Sequence, residues 1–219
     1  NILEGEENTP WKKSAKSQFL QNLPEAHSII TDALQVAQKN LPSEKTHIYL
    51  FPSFSPFIAK EMTGVSGYTP YKNTLHIYIH TEFPRGWQKS LRQTITHEYA
   101  HSVHFENNFT FYKLKEAFIF EGLAEVFREE VDGTGPSPMI EGIRSKEIDA
   151  YFKKISPSYS SEDFSLYQDI FFGSKNFPQW TGYKIGYMLA KKYRARHQQD
   201  NWVDIFNTDP NSIFEDLQK

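Results

Sequence analysis

Apolar residues at helical spacing open the chain. Ile29, Ile30, Leu34, Val36, Ala37 and Leu41 predict a helical segment from about Pro10 to Leu41, punctuated by Leu23-Pro24 and Leu41-Pro42. His47-Ile48-Tyr49-Leu50-Phe51 then reads as a strand, and Pro52, Pro56, Gly64, Gly67 and Pro70 mark a loop-rich stretch after it. Leu75, Ile77 and Ile79 alternate with His76, Tyr78 and His80, a period of two that predicts a strand over 74–80. From about Trp87 to Glu106 there is no Gly or Pro, and Leu91, Ile95 and Val103 keep helical spacing. A second helix is predicted from about Tyr112 to Val131, stopping at the turn-rich run Asp132-Gly133-Thr134-Gly135-Pro136-Ser137-Pro138. The pattern over 139–179 is mixed. Thr181 to about Arg196 reads as a third helix, and Ser212 to Gln218 as a short closing one. No internal repeat or low-complexity tract interrupts this order.

Helix, a few strands, then mostly helix is the order of an α+β fold, with a small mixed sheet beside a helical lobe. A length of 219 residues suits one domain over 1–219, with an α/β lobe to about 106 and a helical lobe over 107–219. The net charge is -3, which argues against a strongly basic nucleic-acid binder. No apolar run is long enough to span a bilayer, so no transmembrane segment is expected. The chain begins at Asn1-Ile2-Leu3 without Met or a signal-peptide pattern, which reads as a mature, exported bacterial chain; a cytoplasmic protein is the alternative.

Cysteine is absent, which removes thiol nucleophiles, disulfides, iron–sulfur clusters and Cys-based zinc sites together. Strong chemistry is left to His, carboxylate, Tyr and Ser. The aromatic content of 16% fits either a core of large rings or a partly apolar cleft.

The sharpest motif is His97-Glu98-Tyr99-Ala100-His101. On a helix, residues four apart share a face, so both imidazoles can reach one metal ion. Glu98 is turned about 100° from His97 at 3.6 residues per turn, away from the ligand row but within reach of a water beside the metal. The competing reading is a polar stripe on a surface helix. A third ligand is needed. His104 lies about 10 Å further along the axis than His97, too far for zinc–nitrogen bonds of about 2 Å, and reads as a core or supporting histidine.

Glu121 is the better third ligand. It sits in Ala117-Phe118-Ile119-Phe120-Glu121-Gly122-Leu123-Ala124-Glu125-Val126-Phe127, a helix apolar in nearly every direction and therefore buried. Burying Glu121 and Glu125 on one stripe costs several kcal/mol unless something cationic compensates. A zinc ion with its imidazoles would do so, with Glu121 on the metal and Glu125 taking the second ring N–H of a ligand His, foremost His97. Gly122 would let another backbone or ring pack close. The alternative is a helix with one polar edge in a salt-bridge network.

His97-Glu98-x-x-His101, nineteen residues, then Glu121 with an acid four later resembles the gluzincin metallopeptidases, with thermolysin-like spacing. Glu121-Gly122-Leu123-Ala124-Glu125 is similar to the E-G-x-A-E segment of the M1 aminopeptidase branch. Tyr183-Lys184-Ile185-Gly186 is similar to the segment carrying that group's transition-state tyrosine. H-E-Y-x-H, E-G-L-A-E and G-Y-x-x-G-Y in this order most resemble a bacterial family of predicted Zn-dependent proteases.

That resemblance implies a zincin-like fold, one zinc ion per chain on His97, His101 and Glu121, and hydrolysis of a peptide or protein substrate. Glu98 matches the general base and acid, and Glu125 the supporting acid. Tyr183 matches the tyrosine that steadies the oxyanion, with Tyr187 as its rival. The M1 group's G-x-M-E-N motif is missing, which weighs against exopeptidase activity. The strand over 74–80 precedes the metal helix as the gluzincin edge strand does, and a peptide could add to it; an interior strand is the alternative. His76 and His80 are expected to face solvent. Phe118, Phe120 and Phe127 are expected to form a dry wall around the two carboxylates. A non-catalytic peptide-binding protein, or a hydrolase of another amide or ester, are the competing functions. Asn108-Phe109-Thr110 is a formal glycosylation sequon. The basic run Lys191–His197 reads as complementing a helix dipole.

Overall fold

The computed structural model describes residues 10–107 and 111–218, so the sequon at 108–110 lies outside the described residues. α1 (Pro10–Asn40) runs unbroken through Pro24. A proline inside a helix costs about 3 kcal/mol. Here Pro24 is exposed, and beyond it Ala26, Ile30, Ala33 and Ala37 form a buried stripe whose packing offsets the lost N–H. Leu23-Pro24 therefore does not break the helix, whereas Leu41-Pro42 ends it.

β1 (His47–Ser53) and the short α2 (Pro56–Glu61) lead into a hairpin of β2 (Val65–Tyr71) and β3 (Thr74–His80). Strand order is β1-β3-β2. β1 runs parallel to β3, with Leu50 opposite Ile77, and β2 runs antiparallel to it, with Gly67 opposite Ile77. The strand over 74–80 is thus interior and hydrogen-bonded on both sides. It has no free edge for a peptide, which corrects that expectation. The two edge strands are β1 and β2, and β2 lies in the stretch that reads as loops. Gly67 and Pro70 hide it from a propensity reading, and an edge tolerates both. Asn73 closes the hairpin at φ 60, a conformation Asn tolerates.

One face of β3, Leu75, Ile77 and Ile79, is fully buried and shares the core with Leu91, Ile95 and Tyr99 of α3 (Trp87–Glu106). The Tyr99 hydroxyl donates to Leu41 O at 2.7 Å, tying α3 to the end of α1. The other face of β3 carries the histidines. His76 is half-buried among the rings of Tyr49, Phe51 and Tyr68. His80 is buried, and its Nδ1 accepts from the Glu82 N–H at 3.3 Å. Neither faces open solvent as expected.

α4 (Leu114–Asp132) packs on α3 and is buried around nearly its whole circumference. Glu116 opens it by accepting from the Tyr112 and Lys113 N–H groups at 3.0 Å each, and Gly133 at φ 64 ends it. Next come α5 (Ser145–Ile155), α6 (Phe164–Phe172), α7 (Thr181–Arg196), α8 (Trp202–Phe206) and α9 (Pro210–Gln218). α7 crosses α4 at Gly122 and Gly186, where a Cβ on Gly122 would fall on the Gly186 carbonyl. The close approach expected at Gly122 is a helix backbone. The C-terminal end of α7 is held by Arg194, which donates to His197 O at 2.7 Å and Asp200 O at 2.9 Å.

Candidate metal centre

The crossing of α3 and α4 brings His97, His101 and Glu121 together, all buried. His97 Nε2 and His101 Nε2 each lie 3.2 Å from Glu121 Oε2. Two donors on a tetrahedral zinc with bonds of about 2.0 Å stand about 3.3 Å apart, so this spacing suits one ion between them. The three residues offer a group that could hold a metal, with ligand atoms within 4.8 Å of one another. Burial pushes the Glu121 carboxyl up, yet His101 and His97 overcome it and hold it at about 2. Burial opposes charge on His97, yet Glu121 and Glu125 carry its imidazole up to about 10.

The second ring nitrogen of His97 meets Glu125. His97 Nδ1 lies 2.9 Å from Glu125 Oε1, at an angle short of a straight hydrogen bond. The other carboxylate oxygen accepts from Arg128 Nε at 3.2 Å, Arg128 Nη2 at 3.1 Å and Ser137 Oγ at 2.9 Å. Burial pushes the Glu125 carboxyl up, but His97 and Arg128 outweigh it and keep it low. Arg128 is 0% exposed. Its Nη1 also donates to Gly135 O at 2.8 Å, so the guanidinium ties the turn after α4 to the metal group. Gln93 Nε2 reaches the same carbonyl at 3.1 Å from α3.

Glu98 is turned away from this group toward β2. Its Oε2 accepts from the Thr69 hydroxyl at 2.7 Å. Its side chain lies flat on the β2 backbone at Gly67, where a Cβ would come 2.6 Å from Oε1 and 2.7 Å from Cδ. The glycine leaves the room that the carboxylate fills.

A cavity of about 550 Å³ opens over these groups, lined by His97, Glu98, His101 and Glu121, by β2 and by a wall of aromatic rings. Tyr183 is part of that wall. Burial first, and then the nearby Glu121, hold its hydroxyl well above the usual tyrosine range, so it stays protonated and can donate. Tyr187 is not brought to the cavity; its hydroxyl donates to Glu129 Oε2 at 2.8 Å. Of the three phenylalanines expected around the carboxylates, only Phe120 stands at the site, stacked on His101 with centroids 4.0 Å apart. Phe118 packs on Phe171, and Phe127 on Trp202 and Phe206. His104 is a core histidine stacked on Phe206 at 4.2 Å, and burial lowers its pKa well below the ordinary range.

Contributors that escape the sequence reading include Gly67, Thr69, Arg128, Ser137 and Tyr167. Arg128 carries a usable signal, a cation three residues past Glu125 in a helix otherwise too apolar for it. Gly67 and Thr69 carry none, because their roles depend on which strand lies against α3. Tyr167 lies in the unreadable stretch before Thr181.

The description "Predicted Zn-dependent protease (DUF2268)" belongs to a family model that matches residues 26–215. The chain belongs to this family of predicted Zn-dependent proteases. No curated protein and no solved structure matches it. Among the described residues, no helix is long and apolar enough to cross a membrane.

Proposed function

We propose that the chain is a zincin-like peptidase of gluzincin type, one catalytic domain with an α/β lobe and a helical lobe. His97, His101 and Glu121 would hold one zinc ion. The observation that carries this reading is the convergence of two imidazole nitrogens on one buried carboxylate oxygen, with Glu98 open to the same cavity. A structural zinc site has no use for an adjoining cleft and a carboxylate beside it. When bound, zinc would supply Lewis-acid activation of a water and polarisation of the scissile carbonyl.

The chain's own groups do the rest. Glu98 takes the proton of the attacking water and returns it to the leaving nitrogen. The C–N bond breaks, the acyl carbon gains OH and the amine gains H. The Tyr183 hydroxyl donates to the oxyanion as charge develops on the carbonyl oxygen. Glu125, held by Arg128 and Ser137, fixes His97 with Nε2 toward the metal. Glu98→Gln is expected to keep its zinc and lose about 10²- to 10⁴-fold in kcat. Full turnover in that variant would remove Glu98 from the reaction.

A further inference from the structure

The cavity wall shows what kind of peptide it can take, and this inference rests on the peptidase reading above. Part of the wall is a continuous run of rings. Phe120 meets Phe111 at 4.9 Å between centroids, Phe111 meets Tyr167 at 6.2 Å, and Tyr167 meets Phe172 at 6.2 Å. Phe172 meets Trp180 at 6.2 Å, and Trp180 meets Phe57 at 5.8 Å. Two of these rings remain open to solvent, Phe172 at 49% and Phe57 at 44% exposure. Trp180 takes a left-handed backbone conformation, φ 66, that a bulky residue adopts only when its surroundings impose it. Its amide donates to Phe171 O at 3.1 Å, and its ring lies between Phe57 and Phe172.

The charged groups of the cavity are equally informative. Among the described residues that line it, the acidic ones are Glu98, Glu121 and Glu125, and the basic ones are Arg128 and the two histidines, His97 and His101. Each already has partners. Glu98 accepts from Thr69, Glu121 meets the two histidines, and Glu125 and Arg128 hold each other. The lining cations are already engaged by Glu121 and Glu125, which leaves none for a peptide α-carboxylate, and Glu98, open to the cavity, is committed to the attacking water in the reading above. A charged terminus or a charged side chain entering here would lose its hydration with nothing in exchange. An apolar side chain would gain by leaving water.

We infer that the site is built for internal peptide bonds flanked by a bulky apolar residue, and acts as an endopeptidase that ignores chain ends. The rings from Phe120 to Phe57 receive the Phe- or Leu-like side chain.

Two measurements on the zinc-loaded full chain test this. The first maps cleavage in peptide pairs with free or with acetylated and amidated ends, carrying Phe, Leu, Asp or Lys beside the candidate bond. Expected are internal cuts, rates within twofold on blocking the ends, and at least tenfold higher kcat/KM for Phe and Leu than for Asp and Lys. A requirement for a free end, or equal cutting beside charged residues, overturns the inference while leaving the peptidase reading intact. The second measures binding of hydroxamate-capped Phe, Leu, Asp and Lys compounds by calorimetry. Apolar compounds should bind at least tenfold tighter, and Phe172→Ser with Phe57→Ser, both at open positions, should shrink that margin. Tight apolar binding without any cleavage supports the pocket and refutes the peptidase reading. Binding without preference overturns the pocket whether or not peptides are cut.

Discussion

Replacing Gly67 with Ala tests the placement of Glu98 without touching a ligand of the candidate metal group. The new Cβ would fall on Glu98 Cγ and stand 2.6 Å from Oε1 and 2.7 Å from Cδ. Carbon and its neighbours settle at about 3.5–4.0 Å, so the carboxylate must retreat by about 1 Å. That retreat also takes it from the Thr69 hydroxyl, now 2.7 Å away. A misplacement of about 1 Å in a reacting group costs on the order of 10²-fold in rate, which is about 2.7 kcal/mol in the barrier. Gly67→Ala is therefore expected to lower kcat about 100-fold while leaving KM and bound zinc nearly unchanged. Thr69→Val removes the same hydrogen bond without a clash and should cost less, about tenfold. The assay is steady-state cleavage of a peptide substrate beside metal analysis and an unfolding curve of each variant. A Gly67→Ala protein that is folded, zinc-loaded and within twofold of the parent in kcat would refute the argument that Glu98 works from its bed on β2.

Tyr183→Phe should lower kcat by about 10²- to 10³-fold with zinc retained, whereas Tyr187→Phe, which loses only the bond to Glu129, should stay within twofold; the reverse order in kcat would exchange the two assignments. Arg128→Met leaves Glu125 buried without its guanidinium, and urea unfolding should show a loss of roughly 3–5 kcal/mol; an unchanged midpoint would mean that the pair is not held together in solution. In zinc-free protein, the raised His97 pKa contributes stability that is full below 6.5 and lost as pH rises through about 10. The lowered Glu121 pKa contributes stability that is full above 4.5 and lost as pH falls through about 2. Thermal melts after chelation should therefore show this cluster's contribution at its fullest between pH 4.5 and 6.5. A melting temperature still climbing at pH 9 would contradict it.

The candidate metal group is legible in sequence because it lies on two helices. The four-residue step from His97 to His101 fixes a shared face, and two acids in an otherwise apolar stretch demand a compensating charge. The same logic reaches Arg128 once Glu125 is taken to be buried. β2 is not legible, because Gly67, Pro70 and a register shift between Tyr68 and Tyr71 erase its alternation. Its position against α3, which sets Glu98 between Gly67 and Thr69, is a matter of sheet order. Sheet order also makes the clearly patterned strand over 74–80 interior, something alternation on one strand cannot reveal. α5 carries Ile148, Tyr151, Phe152 and Ile155 at i, i+3, i+4 and i+7, a helical period that the mixed reading of 139–179 passes over, whereas α6 is apolar on most sides and shows none. Choosing between Tyr183 and Tyr187, one helical turn apart, depends on how α7 is rotated against α4, which the Gly122–Gly186 contact sets.

In the proposed function, a zinc ion on His97, His101 and Glu121 serves peptide hydrolysis. Metal analysis of the purified chain, paired with cleavage of a peptide library before and after chelation, tests it most directly. Expected are about one zinc per chain, cleavage that stops on chelation, and its return when zinc is restored. Stoichiometric zinc with no peptide cut, or cleavage indifferent to chelation, would contradict it.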